Sequence, residues 1–226
     1  MRKIDKSSNT PQTLQDAPVP TKLSDVKASI YKAEDVRTQL CKDQHYKCAY
    51  CECSLTKAYN DVEHYRPKSI YYWLGHDWNN LLYSCPICNR LYKRINFPLK
   101  DESMRVMAPG DLSGEEPLII NPTNEDPAIH IKFNRYQMEG ITEEGKKTIE
   151  VFHLNQRNEL VHARKQLYEL YKNQMDVLDN AKKMMKSSEL TAELRMLVNE
   201  IIVSSLRAIQ NYKSIDTPYS GMFTIQ

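Results

Sequence analysis

VEHYRPKSIYYWLGHDWNNLLYSCPICNR, residues 62–90, sets a carboxylate beside a histidine, then two adjacent asparagines, then a C-x-x-C pair followed at once by a third asparagine. Groups of this kind are costly to bury without partners, so their density in one stretch asks for an ion, a hydrogen-bond network or a charged ligand. A second C-x-x-C pair stands just upstream. Cys48-Ala-Tyr-Cys51 and Cys85-Pro-Ile-Cys88 share one spacing. Each pair chelates on a tight turn, and four thiolates complete a tetrahedral zinc shell. A redox dithiol is the weaker alternative, because no thioredoxin-like strand pattern surrounds either pair. Cys53 is an open competitor for the place of Cys51, although the matched spacing favours Cys51. Cys41 reads as a small buried hydrophobe on its helix.

All six cysteines, at 41, 48, 51, 53, 85 and 88, fall in the first half of 226 residues. A chain of that length buries a sizeable core without disulfides. Thirty-one lysines and arginines against 29 acids leave the whole-chain charge uninformative about a polyanionic partner. No apolar run reaches membrane-span length, and the N-terminus lacks the apolar centre of a secretory signal, so a cytoplasmic location is expected.

Working outward, residues 1–22 are polar with Pro11, Pro18 and Pro20, and predict an extended, poorly packed arm. Residues 23–46 predict a helix from Asp25 to about Lys42, with Val26, Ile30, Ala33, Val36 and Leu40 as its apolar positions. Residues 47–100 form the chemical module: cysteine knuckles, a strand at Asp61 to Tyr65, and a short helix after Pro86. Residues 101–154 predict a connector of loop and strand, with one strand at Leu118 to Ile120 and a strand and turn over His130 to Gly140. In residues 155–226 Leu160, Leu167, Leu170, Leu178 and Ala181 mark a long helix. Ser187-Ser188 offers a break and a cap, and Leu190 to Ile209 marks a second helix, the two pairing as an antiparallel hairpin. The class is α+β, mainly α.

DVEHYRPKS (61–69), WNNLLYSC (78–85) and CPICNR (85–90), with KCAYCE (47–52) before them, resemble the HNH endonucleases, the ββα-metal group. The resemblance implies a small ββα module beside a four-cysteine zinc site. His64 is then the general base, and Asn80 the middle residue holding base and loop. Glu63 and Asn89 become ligands of a catalytic divalent ion, magnesium or manganese. Glu63 stands where aspartate is commoner, and Asn79 and His76 are nearby competitors. Asn79 holds a minority claim to the middle role, and His76 is read as positioning the aromatic segment. The residue types suit phosphodiester hydrolysis: histidine titrates near neutrality, and a hard cation on oxygen ligands stabilises phosphate charge.

A longer likeness spans about residues 34–165: the motifs above with NFPL (96–99), EEPLIINPTNEDP (115–127) and HIKF (130–133). It is to the HNH nuclease subunits that accompany an ATPase in bacterial Septu anti-phage systems, the PtuB type, and in some retron cassettes. This implies an ATPase partner, with the C-terminal helices and the arm as candidate docking surfaces.

Between residues 41 and 100, basic residues at 42, 47, 57, 66, 68, 90, 93, 94 and 100 outnumber acids at 43, 52, 61, 63 and 77. Arg66, Lys68, Arg90, Lys93 and Arg94 are the candidate contacts to a DNA backbone, the last three at helical spacing beyond Asn89; a solvated helix face competes. Tyr71, Tyr72, Trp73 and Trp78 read as module core. Nothing offers a base-reading code. Two rival functions need no catalysis: a zinc-ribbon nucleic-acid-binding module, and an adaptor that docks an ATPase. Neither has a use for Glu63 and His64.

Overall fold

The chain from Asp61 to Lys93 folds as strand, strand, helix. The computed structural model describes residues 1–56 and 60–224, so Lys57 of the basic set lies outside the described residues. Three helices come first: α1 (Gln12–Gln15), α2 (Ala28–Tyr31) and α3 (Glu34–Asp43). Strands β1 (Asp61–His64) and β2 (Leu81–Ser84) follow, then a π-helix, Ile87–Lys93. Beyond it come β3 (Ile131–Asn134), β4 (Gln137–Gly140), α4 (Glu143–Val151), α5 (Asn158–Met185) and α6 (Ala192–Lys213). The fold is α+β and mainly helical, as the sequence predicts.

β1 and β2 pair antiparallel, with Asp61 opposite Ser84 and His64 opposite Leu81. Every residue of both strands is buried. The free edge of β2 is finished by a side chain: Gln44 Oε1 accepts from Tyr83 N at 2.7 Å and Gln44 Nε2 donates to Tyr83 O at 2.7 Å. Gln44 thus makes the bonds a neighbouring strand would make, and α3, just before it, buries Val36, Leu40 and Cys41.

Several expectations need correction. Residues 23–46 are not one helix: a 3-10 turn, α2 and α3 are separated at Val26 and Ala33, both extended. Tertiary contacts override the helical rhythm, because Lys27 N donates to His76 Nε2 (3.2 Å) and Val26 packs where Gly75 has no Cβ. The arm 1–22 is well packed and carries the short helix α1. Met1, Ile4 and Leu14 are buried, Trp78 Nε1 donates to Ser7 O (3.1 Å), and Lys6 Nζ donates to Leu81 O (2.7 Å) and to Trp78 O. Leu118–Ile120 is no strand; Ile120 N donates to the hydroxyl of Thr148 (2.9 Å), so a side chain takes the ladder's place. The turn expected near Gly140 lies at Arg135-Tyr136, between β3 and β4, with Arg135 left-handed at φ 58°. α4 was not predicted. Its buried face carries Gly145, Thr148 and Val151, too polar and small to show an apolar period, and Thr142 caps it.

α5 and α6 form the expected hairpin. Arg195 reaches Met185 O and Ser187 O at the turn, and the Tyr171 and Tyr212 rings meet at 6.0 Å farther along, so the helices run antiparallel. Thr191, not the serine pair, caps α6. Residues 214–224 fold back as a tail, with Phe223 stacked on Tyr171 and Gly221 N donating to Glu52 Oε2 (3.1 Å). No helix among the described residues is long and apolar enough to cross a membrane.

Candidate active site

The two knuckles converge on four sulfurs. Cys48, Cys51, Cys85 and Cys88 are buried, and their Sγ atoms all lie within 4.8 Å of one another. Zinc–sulfur bonds of about 2.3 Å in a tetrahedron place sulfurs roughly 3.8 Å apart; Cys51 and Cys85 stand 3.8 Å apart. The donor set and its spacing therefore fit a tetrahedral, thiolate-loving ion. Cys53 is half-buried at the edge of the group and outside the set of four. Ala49 N donates to Tyr83 O (3.0 Å) and Asn89 N to Cys85 O (3.0 Å), so closing the cluster fixes both β2 and the start of the π-helix.

Beside this cluster a cleft of about 290 Å³ is lined by Glu63 and His64 of β1, Asn89 of the π-helix, Tyr31, Lys68 and Arg94. His64 is buried, and its Nε2 lies 3.0 Å from the carbonyl oxygen of Gly75. A carbonyl oxygen can only accept, so Nε2 carries the hydrogen and Nδ1 keeps its lone pair. Burial drops the imidazole's pKa to about 3, which keeps the ring neutral near pH 7. The Tyr31 ring meets it edge-on with centroids 4.6 Å apart.

Asn80 holds the loop that holds His64. Its Nδ2 donates to Arg66 O (3.1 Å) and Leu74 O (3.2 Å), and its Oδ1 accepts from Arg66 N (2.8 Å). Leu74 precedes the carbonyl that anchors the imidazole. Asn79 is exposed and bonds through its backbone to Asp77, so its geometry does not suit the middle role. His76 ties Pro18 O and Lys27 N to the loop, so it positions the N-terminal segment and not the aromatic stretch.

Glu63 is fully buried, and burial pushes its carboxyl pKa up while Lys93 pulls it down. Lys93 Nζ stands 2.5 Å from Glu63 Oε1, and that oxygen makes no hydrogen bond of acceptable angle. Oxygen donors along one cleft, the buried Glu63 carboxylate and the half-buried Asn89 amide, suit a hard cation of the magnesium class.

Two relatives match over long stretches. Septu protein PtuB of Bacillus mycoides (strain KBAB4) is 35% identical over 218 residues, covering 86% of this chain and 74% of that protein. Septu protein PtuB of Bacillus thuringiensis is 36% identical over 138 residues, 60% of this chain and 47% of that one. The chain belongs to the Septu PtuB family. No family model matches it.

In this PtuB-family chain the five basic candidates separate. Lys68 and Arg94 line the cleft, with Lys68 Nζ 2.7 Å from the Tyr31 hydroxyl. Arg90 also lines it and is mostly exposed, while its Nε donates to Asp61 Oδ2 at 2.7 Å. Lys93 is buried against Glu63 and His64 O (2.9 Å), so it is not a phosphate contact in this conformation. Arg66 is likewise withdrawn: it pairs with buried Glu115 and lies over Tyr71 and Phe97. Of the three basic residues at helical spacing beyond Asn89, Arg90 and Arg94 are exposed and only Lys93 turns inward; the helix is π, with Arg94 N donating to Asn89 O, so the α-helical spacing does not set their directions.

The sequence reading missed Tyr31, Gly75 and Arg157. Tyr31 arrives from α2, and no local motif signals it. Gly75 is required because an added Cβ would stand 2.6 Å from Val26 and 2.9 Å from Tyr72 O. Arg157, at the start of α5, points its Nη1 to Cys88 Sγ at 3.3 Å. Burial alone would lower its pKa, but the thiolates of Cys51, Cys88 and Cys85 outweigh that and raise it. A lone arginine at a helix start carries no sequence signal for this role.

Proposed function

We propose that this chain is an HNH-type, metal-dependent endonuclease, the cutting subunit of an anti-phage Septu complex with an ATPase subunit as its partner and DNA as its substrate. The observation that supports this best is the single cleft gathering Glu63, His64 and Asn89, with the lone-pair nitrogen of His64 left unclaimed by the Gly75 bond. His64 Nδ1 takes the proton of an attacking water, a task suited to a neutral imidazole held by a backbone carbonyl. Asn80 fixes that carbonyl's loop and so the ring's direction. Lys68, Arg90 and Arg94 receive the phosphates on either side of the cut bond. A magnesium or manganese ion at Glu63 and Asn89 would supply positive charge at the phosphate and leaving oxygen. Zinc at the four cysteines would supply folding free energy and no chemistry.

The ATPase partner finds support in the C-terminal hairpin, whose Leu194, Leu197, Ile201 and Leu206 are exposed although large and apolar. Leu194, Leu197 and Ile201 recur at i, i+3 and i+7 on one face of α6, and a contiguous exposed apolar patch marks an interaction site. A non-catalytic binding module draws its support from the Lys93 ion pair, which balances the charge of Glu63 without a metal.

Supercoiled plasmid incubated with the purified chain, alone and with a candidate Septu ATPase subunit, tests the reading. Nicked or linear product that appears with magnesium or manganese and is lost on chelation of those ions is expected. DNA binding without cleavage in every combination would favour the binding module.

A further inference from the structure

Lys93 stands at an unexpected place. Its side chain is fully buried, its ammonium is 2.5 Å from Glu63 Oε1, and it also donates to the carbonyl oxygen of His64 at 2.9 Å. It sits on the same helix as Asn89, one π turn on, and closes on the carboxylate that would share an ion with that asparagine. Buried cations are held only where a charge or carbonyl oxygens compensate them, and here both do. The neighbouring pair repeats the pattern: Asp61, two residues before Glu63 and so on the same strand face, is held by Arg90. The two carboxylates of β1 are thus each neutralised from the π-helix.

We propose that Lys93 is an internal counter-cation occupying the Glu63 site, and that a divalent ion must displace it from Oε1 to bind. This rests on the reading of Glu63 as a ligand of the catalytic ion. Before an ion arrives, the lysine keeps the site charge-balanced and folded. On ion binding the ammonium leaves Glu63 while the His64 carbonyl retains it, so one basic side chain serves both states. Two cations cannot share one carboxylate oxygen without repulsion, which weakens the affinity of the wild type for the divalent ion.

Manganese binding measured by electron paramagnetic resonance on the full-length, zinc-loaded protein tests this without any turnover. Lys93→Gln keeps a donor for the His64 carbonyl and removes the charge; Lys93→Met is the second variant should glutamine fold poorly. Either is expected to bind manganese at least tenfold more tightly than wild type, and to melt lower than wild type without manganese but recover with it. Unchanged or weaker manganese binding in a folded Lys93 variant would overturn the inference while leaving Glu63 as a ligand. Glu63→Gln, alone and combined with Lys93→Gln, separates the two ideas. If it leaves manganese affinity unchanged in both backgrounds, the ligand reading falls and the inference with it.

Discussion

At the scale of single residues, the site depends on who holds the histidine. His64 owes its tautomer to Gly75 O, and Gly75 owes its place to Asn80 and to the close approach of Val26. Asn80→Ala would strip partners from Arg66 N, Arg66 O and Leu74 O. An expected loss of about 1–3 kcal/mol follows from unpaired buried groups, measurable by urea unfolding. Asn80→Asp keeps the acceptor for Arg66 N but turns a charged oxygen toward Arg66 O and Leu74 O, so it should lose at least as much stability as Asn80→Ala in the same unfolding measurement. Arg157→Met removes an N–H···S bond to Cys88. Loss of such outer partners costs metal sites about 10–100-fold in affinity, so faster zinc release to a chelator is expected. The four cysteines were legible from their matched C-x-x-C spacing, whereas Glu63, His64, Asn80 and Asn89 were singled out through the resemblance to the HNH motifs. Tyr31, Arg157 and the true partners of Arg66 and Lys93 were not, because each contact joins residues far apart in sequence or depends on a π turn.

At the scale of elements, the thiolate cluster is the joint between pieces too small to stand alone. β1 and β2 span four residues each, and a two-stranded pair is marginal in water without further packing. The first knuckle bonds to β2, the second starts the π-helix, and Arg157 adds α5. Stripping zinc from a zinc-loaded sample should therefore unfold β1, β2 and the π-helix as one unit. A chelator titration followed by tryptophan fluorescence should show Trp73 and Trp78 becoming exposed together with zinc loss. The hairpin α5 and α6 was legible from its apolar period. α4 and the break between α2 and α3 were not, because a polar buried face hides the first and tertiary contacts at His76 impose the second.

At the scale of the whole molecule, both ends of the described chain close on the module. Met1 pairs its amino group with Glu52 at 2.5 Å, and the tail bonds to the same residue from the other side. Lys6 is the pH-sensitive part of this closure: burial lowers its pKa from 10.5 to about 7, with Asp43 and Asp77 opposing. Folded Lys6 binds fewer protons than unfolded Lys6 between about pH 7 and 10.5, so its burial costs stability below that window and the cost fades as pH rises through it. Against a Lys6→Met variant, the wild type should gain at most about 1.4 kcal/mol per pH unit across that range, read from paired denaturation curves. The exposed hairpin face is proposed for the ATPase, and Leu197→Asp with Ile201→Asp should abolish co-purification without changing the melting temperature by more than a few degrees.

The central claim is that His64 acts on a substrate and does not merely brace the fold. Plasmid cleavage and zinc content measured side by side on wild type, His64→Ala and Cys85→Ala test it most directly. His64→Ala should lose cleavage while keeping wild-type zinc and a wild-type circular dichroism spectrum, whereas Cys85→Ala should lose zinc and fold together. Cleavage that survives in His64→Ala, or a His64→Ala protein that sheds zinc and unfolds as Cys85→Ala does, would contradict the claim.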